Sequence, residues 1–479
     1  MKIRPCLCVL VAVVMSAVVR AEVKLPRLTG SGMVLQRDVA NEIRGWADPG
    51  EAVTVRIGEE THTEAADAEG RWSVTLAARG AGGPHTITIA GTNTIELTDV
   101  LFGEVWVCSG QSNMEWPLRL TDHGAEDVAG AGDTQLRLFK VERRVSTVAL
   151  EDVSGGQWAA ASPESVADFT AVGYHFGLRL REELEVPVGL IQSAWGGTPA
   201  EAWATRGALE AGSDSIAKLL TRWDLAADPA NVSPHQPAAL YNAMIHPIRR
   251  TSVAGAIWYQ GESNADRAEQ YRELFPLMIE SWRDAFGRRD LPFGFVQLAS
   301  FMARAEAPGE SAWAELRDAQ RSALGLSDTG MAVAIDIGEA NDIHPRNKRD
   351  VGARLARWAL HDVYGKDSVT PSGPVPVGHE IKGDAIVISF EHADGLRTTD
   401  GAGPRSFAIA GEDRVFHWAE ARIEGATVVV HTAAVSRPTA VRYAWADNPA
   451  VNLVNGAGLP ATPFRTDRWK GITSGRATP

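Results

Sequence analysis

The chain has 479 residues, 44% of them apolar and 22% charged, and a formal net charge of −13. Its length exceeds one ordinary domain and predicts two or three, while the composition is that of a soluble globular protein with a substantial core. The acidic balance excludes a nucleic-acid or polyanion binder, whose phosphate contacts need basic patches; it says nothing against a neutral sugar.

At the N-terminus, Lys2 and Arg4 precede an apolar stretch from Cys6 to Val19, and Val19-Arg20-Ala21 offers small residues at both cleavage positions. This is the pattern of a secretory signal peptide, 1–21, removed after Ala21. The apolar stretch is shorter than the ~20 residues of a membrane span. The mature protein is therefore expected to be secreted or periplasmic, with no stable membrane association after cleavage. Cys6 and Cys8 leave with the signal, so Cys108 stands alone and no internal disulfide is possible. Burial in a strand is its expected role.

Residues 22–100 carry short β-like segments: VTVRIG, RWSVTLAA, HTITIAG and TIELTDV, separated by Pro49-Gly50, Glu69-Gly70 and Gly82-Gly83-Pro84. They predict an N-terminal β-sandwich domain. Over 101–365, buried apolar strands alternate with amphipathic helical stretches at 166–184, 266–286, 313–325 and 346–364. That alternation predicts an α/β domain with a parallel sheet covered on both faces. From 366 to 479 the helical period is lost again. AIVISFE, SFAIAG, ATVVVHT and AVRYAWA predict a C-terminal β-rich domain ending in a polar tail.

Four strings follow the apolar runs of the middle region: GQSNM (110–114), WGGT (195–198), GESN (261–264) and DIHP (342–345). In such sheets ligands bind beyond the carboxyl ends of the strands, where all four are expected to lie. Ser112, on a turn opened by Gly110, is the candidate nucleophile. A serine hydroxyl needs an adjacent base to take its proton, and a serine here would otherwise serve as a helix cap. His344, in a loop before a helix, is the candidate base; its rival His246, in YNAMIHPI, is expected to pack nearby. Asp342 is the candidate orienting acid, although an aspartate there would serve equally well as a helix cap. Asp336 and a Ser–His dyad without an acid stay open as alternatives. A neighbouring Asp342 would raise the imidazole pKa and move the rise in activity to higher pH.

Acyl transfer also needs donors for the developing oxyanion. The Ser112 amide is one, and Gly196 and Gly197 allow the close backbone approach that makes a second. A side-chain amide, Gln260 in preference to Asn264, is the expected third. Glu262 is expected to support these loops by hydrogen bonding. The mechanism calls for no cofactor and no metal.

GQSNM, IQSAWGGTPAEAW, WYQGESN and DIHPRNK, in this order, resemble the sialate O-acetylesterase-type branch of the SGNH (GDSL-like) hydrolases, in its bacterial multidomain form. The resemblance spans the α/β region and extends into both β regions. It implies a flavodoxin-like three-layer α/β/α catalytic domain and removal of O-acetyl groups from an acetylated carbohydrate. It makes Ser112 the nucleophile, His344 the base, and the Ser112 amide, a WGG glycine and an amide side chain the oxyanion hole. Two departures stand out. The superfamily places its acid three residues before the histidine, where this chain has Asn341. The third block of this chain also has glutamine and glutamate around its glycine instead of the usual Gly-x-Asn-Asp. Two other readings are a deacetylase of plant polysaccharide such as xylan or pectin, and a carbohydrate-binding protein without activity.

Overall fold

The computed structural model describes residues 22–226, 228 and 231–477; the expected signal peptide lies outside the described residues. One strand, Thr94–Gly110, organises the molecule. Up to Asp99 most of its residues face solvent, whereas every residue from Val100 to Gly110 is buried. Such a continuous apolar run belongs between two covering layers.

The buried half lies inside a parallel sheet. Its order is Thr329–Val333, Phe293–Gln297, Gly255–Tyr259, Thr94–Gly110, Val188–Ala194 and Asp133–Lys140, with Trp158–Ala161 antiparallel at the edge. From Thr94 to Phe102 the strand pairs with Gly82–Ala90, which leads on to Ala52–Ile57 and Glu60–Ala65. With Val34–Gln36, which pairs parallel with Leu101–Gly103, the result is one mixed sheet of eleven strands. Residue 100 therefore falls within a continuous strand shared by the two regions, because a backbone ladder need not stop where the side-chain pattern changes. Asn41–Trp46 and Arg71–Leu76 form a separate antiparallel pair. No helix occurs among the described residues before Ser112.

Alternation along the central strands sends side chains to two layers. Trp106 meets Phe176 of helix Ala171–Leu184 and Trp358 of helix Arg349–Trp358 edge-on, with ring centroids 5.0 and 6.2 Å away. Trp258, on the opposite face, meets Trp282 of helix Ala268–Ala285 at 6.0 Å. Helix Ala312–Ser322 packs beside that third helix. Gly173 lets the first helix sit close to the sheet: a Cβ there would stand 2.9 Å from Cys108 Sγ. Cys108 is fully buried, and burial pushes its thiol pKa well up, so it is an inert core residue.

Beyond residue 366 the chain forms two four-stranded antiparallel sheets. One runs Val375–Lys382, Ala385–Glu391, Thr427–His431, Glu420–Glu424, and the other His417–Trp418, Phe407–Ala410, Ala440–Tyr443, Phe464–Arg465. Arg317 ties this region to the α/β layer. Its buried guanidinium donates to the carbonyls of Leu298, Ala299, Ala446 and Asp447 at 2.7–2.8 Å. The polar tail expected at the end is anchored through Thr473, whose amide donates to the buried Glu315. No helix among the described residues is long and apolar enough to cross a membrane.

Candidate active site

Parallel register brings three of the four strings to one edge. Gly110 lies opposite both Ala194 and Tyr259, so the turns after these three strands open side by side. Gly110 has φ +139°, and a Cβ there would lie 2.2 Å from the Tyr259 carbonyl; only glycine makes this turn. The chain then enters the short helix Ser112–Glu115, whose first turn leaves the Ser112 amide without an intrahelical acceptor.

His344 arrives from the loop after Thr329–Val333, and its Nε2 lies 2.9 Å from Ser112 Oγ. This is a hydrogen bond from hydroxyl to imidazole when that nitrogen is unprotonated. The Trp116 ring lies flat on the imidazole at 4.8 Å with an interplanar angle of 16°. Burial lowers the His344 pKa and Lys348 lowers it further, while Asp342 opposes both. The net direction is down, not up as the aspartate alone implied, because partial burial outweighs a half-exposed carboxylate.

Asp342 Oδ1 accepts the His344 backbone amide at 2.8 Å and stands 3.4 Å from Nδ1. It thus shapes the turn more firmly than it holds the ring. Asp336 is engaged elsewhere, paired with both Arg354 Nη atoms at 2.7 and 2.8 Å. His246 shares its Nδ1 with the Leu150 carbonyl and Arg249, so it is occupied by other partners.

The groups expected as oxyanion donors have other partners here. Gln260 is fully buried, and its Nε2 donates to Thr198 O at 3.3 Å and Asn264 Oδ1 at 2.6 Å. Its Oε1 accepts from Tyr271. Both amide protons are engaged in the interior, so Gln260 offers none to a substrate. Asn264 belongs to the same network, with Nδ2 on Glu201 Oε2 at 3.0 Å and Oδ1 accepting the Ala200 amide. Glu201 in turn pairs with Arg267 at 3.0 Å, each 1% exposed. The Gly196 amide donates to Glu115 Oε2 at 2.8 Å, and is therefore also occupied. Gly196 is nevertheless tightly placed, since a Cβ there would sit 3.2 Å from Ser112 Cβ. Gly197, at φ +76°, has open space where a Cβ would stand.

Several neighbours were not singled out from the sequence. Glu115 holds Arg143 through both oxygens, at 2.8 and 2.6 Å, and Arg143 lies over the Trp195 ring. Glu115 and Trp116 stand within one turn of Ser112, a spacing that could have flagged them. Asn113 donates to Glu262 Oε1 at 2.5 Å and to the Ile343 carbonyl at 3.0 Å. Glu262 is half-buried with its carboxyl group turned away from solvent, and that desolvation raises its pKa against the opposing effects of its hydrogen bonds and Lys348. A cleft of about 540 Å³ opens above the pair, lined by Ser112, His344, Trp116, Arg143, Lys140 and Gly196 among others.

A serine hydroxyl against an imidazole in an open cleft, at the carboxyl edge of a parallel sheet, has the parts of an enzyme that transfers an acyl group through a serine nucleophile. Residues 102–361 match the family model described as "Carbohydrate esterase, sialic acid-specific acetylesterase". Sialate O-acetylesterase from Mus musculus is 31% identical, with 90% of this chain and 92% of the mouse protein covered. That from Homo sapiens is 30% identical, with 90% of each chain covered. A crystal structure described as a novel carbohydrate acetylesterase from Xanthomonas citri superposes with a TM-score of 0.87 at 43% identity, covering 94% of this chain and all of the other. The chain belongs to the sialic acid-specific acetylesterase family of carbohydrate esterases.

Proposed function

We propose that this protein removes O-acetyl groups from carbohydrate through an acyl-enzyme on Ser112, with His344 as general base and Asp342 as a secondary orienting group. The carrying observation is the 2.9 Å contact between Ser112 Oγ and His344 Nε2. The hydroxyl attacks the acetyl carbonyl as the imidazole takes its proton. The oxyanion of the tetrahedral intermediate is received by the Ser112 and Gly197 amides. Collapse breaks the bond to the sugar oxygen, which takes the proton from the imidazolium and leaves as a hydroxyl. Water, activated by the same imidazole, then attacks the acetyl-enzyme and frees acetate.

Family membership supports a sialate O-acetyl ester as substrate. The 43% identity to a protein described as a carbohydrate acetylesterase supports an acetylated carbohydrate more broadly, and the second reading is an acetylated plant polysaccharide. A carbohydrate-binding role without catalysis has the intact Ser–His pair against it. Acetate release from acetylated sialic acids, acetyl-xylan, acetylated pectin and p-nitrophenyl acetate separates these readings, with Ser112→Ala as the control. No release from any of the four overturns the esterase assignment.

The same reading divides the chain into a catalytic part at 101–365, flavodoxin-like in its strand order, flanked by β-sandwich-like parts at 22–100 and 366–479. The composition of residues 1–21 supports export to the periplasm or medium, which mass spectrometry of the mature N-terminus tests.

A further inference from the structure

Lys348 is fully buried, and a buried ammonium is costly unless acceptors and an anion surround it. Its Nζ donates to Asn113 Oδ1 at 2.5 Å and otherwise faces the rings of Tyr259 and Trp116, 5.5 and 5.8 Å from their centroids. Asn113 is the residue after the nucleophile. Its amide nitrogen bonds Glu262 on one side and, on the other, the carbonyl of Ile343, the residue before the base. The second oxygen of Glu262 is buried with no hydrogen-bond partner among the described residues. A cation and a carboxylic group thus sit on either side of one asparagine that clamps the Ser112 helix to the His344 loop. The acyl-transfer steps use none of these three side chains directly.

We infer that Lys348 is a positioning residue for the Ser112–His344 pair. Through Asn113 it holds the backbone of the base against the nucleophile's helix, and its ammonium presents a like charge to the imidazolium. The inference rests on the esterase reading above.

The charged groups facing this pair come from three elements. Asp342 and Glu339 lie on the histidine loop, Glu262 follows strand Gly255–Tyr259, and Lys348 precedes helix Arg349–Trp358. Burial lowers Lys348 to about 7, against the pull of Glu262, Asp342 and Glu339. While it carries its proton, it opposes protonation of His344 and so keeps the base competent at lower pH.

Lys348→Met and the near-isosteric Glu262→Gln test this with p-nitrophenyl acetate, reading kcat, KM and the pH profile of kcat/KM. In Lys348→Met, kcat should fall on the order of tenfold at nearly unchanged KM, as a displaced catalytic pair requires. The acid limb should move up by about one pH unit, because the like charge is gone. Glu262→Gln keeps an acceptor for Asn113 but removes the counter-charge, so Lys348 loses its proton at lower pH and the acid limb again moves up. Were Glu262 acting on His344 directly, removing its charge would move the limb down. An unmoved limb in Lys348→Met, whatever happens to kcat, or an unmoved or lowered limb in Glu262→Gln, overturns the inference. If Lys348→Met does not fold, Glu262→Gln decides alone. Activity surviving in Ser112→Ala would instead overturn the esterase reading itself.

Discussion

Trp116 lies flat against the imidazole of His344, 4.8 Å between ring centroids. The tryptophan follows Ser112 by four residues, so one turn of chain carries both the nucleophile and the plate that braces its base. Trp116→Ala should lower kcat on the order of tenfold, well short of the 10²–10⁴-fold that loss of the general base itself costs. Steady-state kinetics beside His344→Ala decide this; an unchanged kcat would show that the stack does not hold the ring.

Activity should rise with pH through a midpoint below ~6.5, the ordinary imidazole value. Only the neutral ring accepts the serine proton. Its pKa is lowered, first by burial and then by Lys348, with Asp342 opposing. A pH profile of kcat/KM measures the midpoint, and one clearly above 6.5 would mean that the Asp342 charge dominates after all.

Three of the four strings were legible because each follows a run of buried strand residues, and parallel register then aligns Gly110, Ala194 and Tyr259; the fourth, DIHP, lies on the loop after Thr329–Val333. The helical stretches were legible too: 266–286 and 313–325 appear as Ala268–Ala285 and Ala312–Ser322. What the residues did not disclose is direction. Gln260 continues the right strand, yet its amide turns into the interior towards Thr198 and Asn264. Nor does a lysine four residues after a histidine announce that it is buried. Lys348 looks like any surface cation until the packing of Trp116 and Tyr259 around it is seen.

His175 should make the fold sensitive to acid. Its side chain is 7% exposed, with Nε2 only 3.4 Å from Asp127. Burial nevertheless wins over that carboxylate and lowers its pKa to about 4. Between ~6.5 and about 4 the unfolded chain takes up a proton that the folded chain resists, so stability falls as pH drops through that window. Chemical denaturation at pH 7 and pH 5 should show a smaller pH-dependent loss in His175→Gln than in the parent. An equal loss in both would assign the acid sensitivity to other groups.

Asp342→Asn should cost less than the ~10⁴-fold seen when a buried triad aspartate is lost. The carboxylate is 46% exposed and stands 3.4 Å from Nδ1, beyond a short charge-assisted bond. The asparagine side-chain oxygen can still accept the His344 backbone amide and preserve the turn. A loss of ten- to about a hundred-fold in kcat fits this arrangement. A loss approaching that of His344→Ala would make Asp342 a full triad member.

Gln260 is a test of whether the interior network, and not the oxyanion, claims the side-chain amide. Its four polar contacts are the Thr198 carbonyl, the Asn264 side chain, the Tyr271 hydroxyl, and through its backbone oxygen the Gln320 amide. Gln260→Ala removes a partner from the Thr198 carbonyl and the Tyr271 hydroxyl in a dry interior, leaves Asn264 Oδ1 with the Ala200 amide alone, and opens a cavity. Each buried polar group left unpaired costs about 1–3 kcal/mol, so the melting temperature should drop by several degrees. The damage should appear in stability, with kcat of the folded fraction reduced far less than the 10²–10³-fold typical of a lost oxyanion donor. A variant with unchanged melting temperature and a kcat lower by two orders of magnitude would place the Gln260 amide back at the reacting carbonyl.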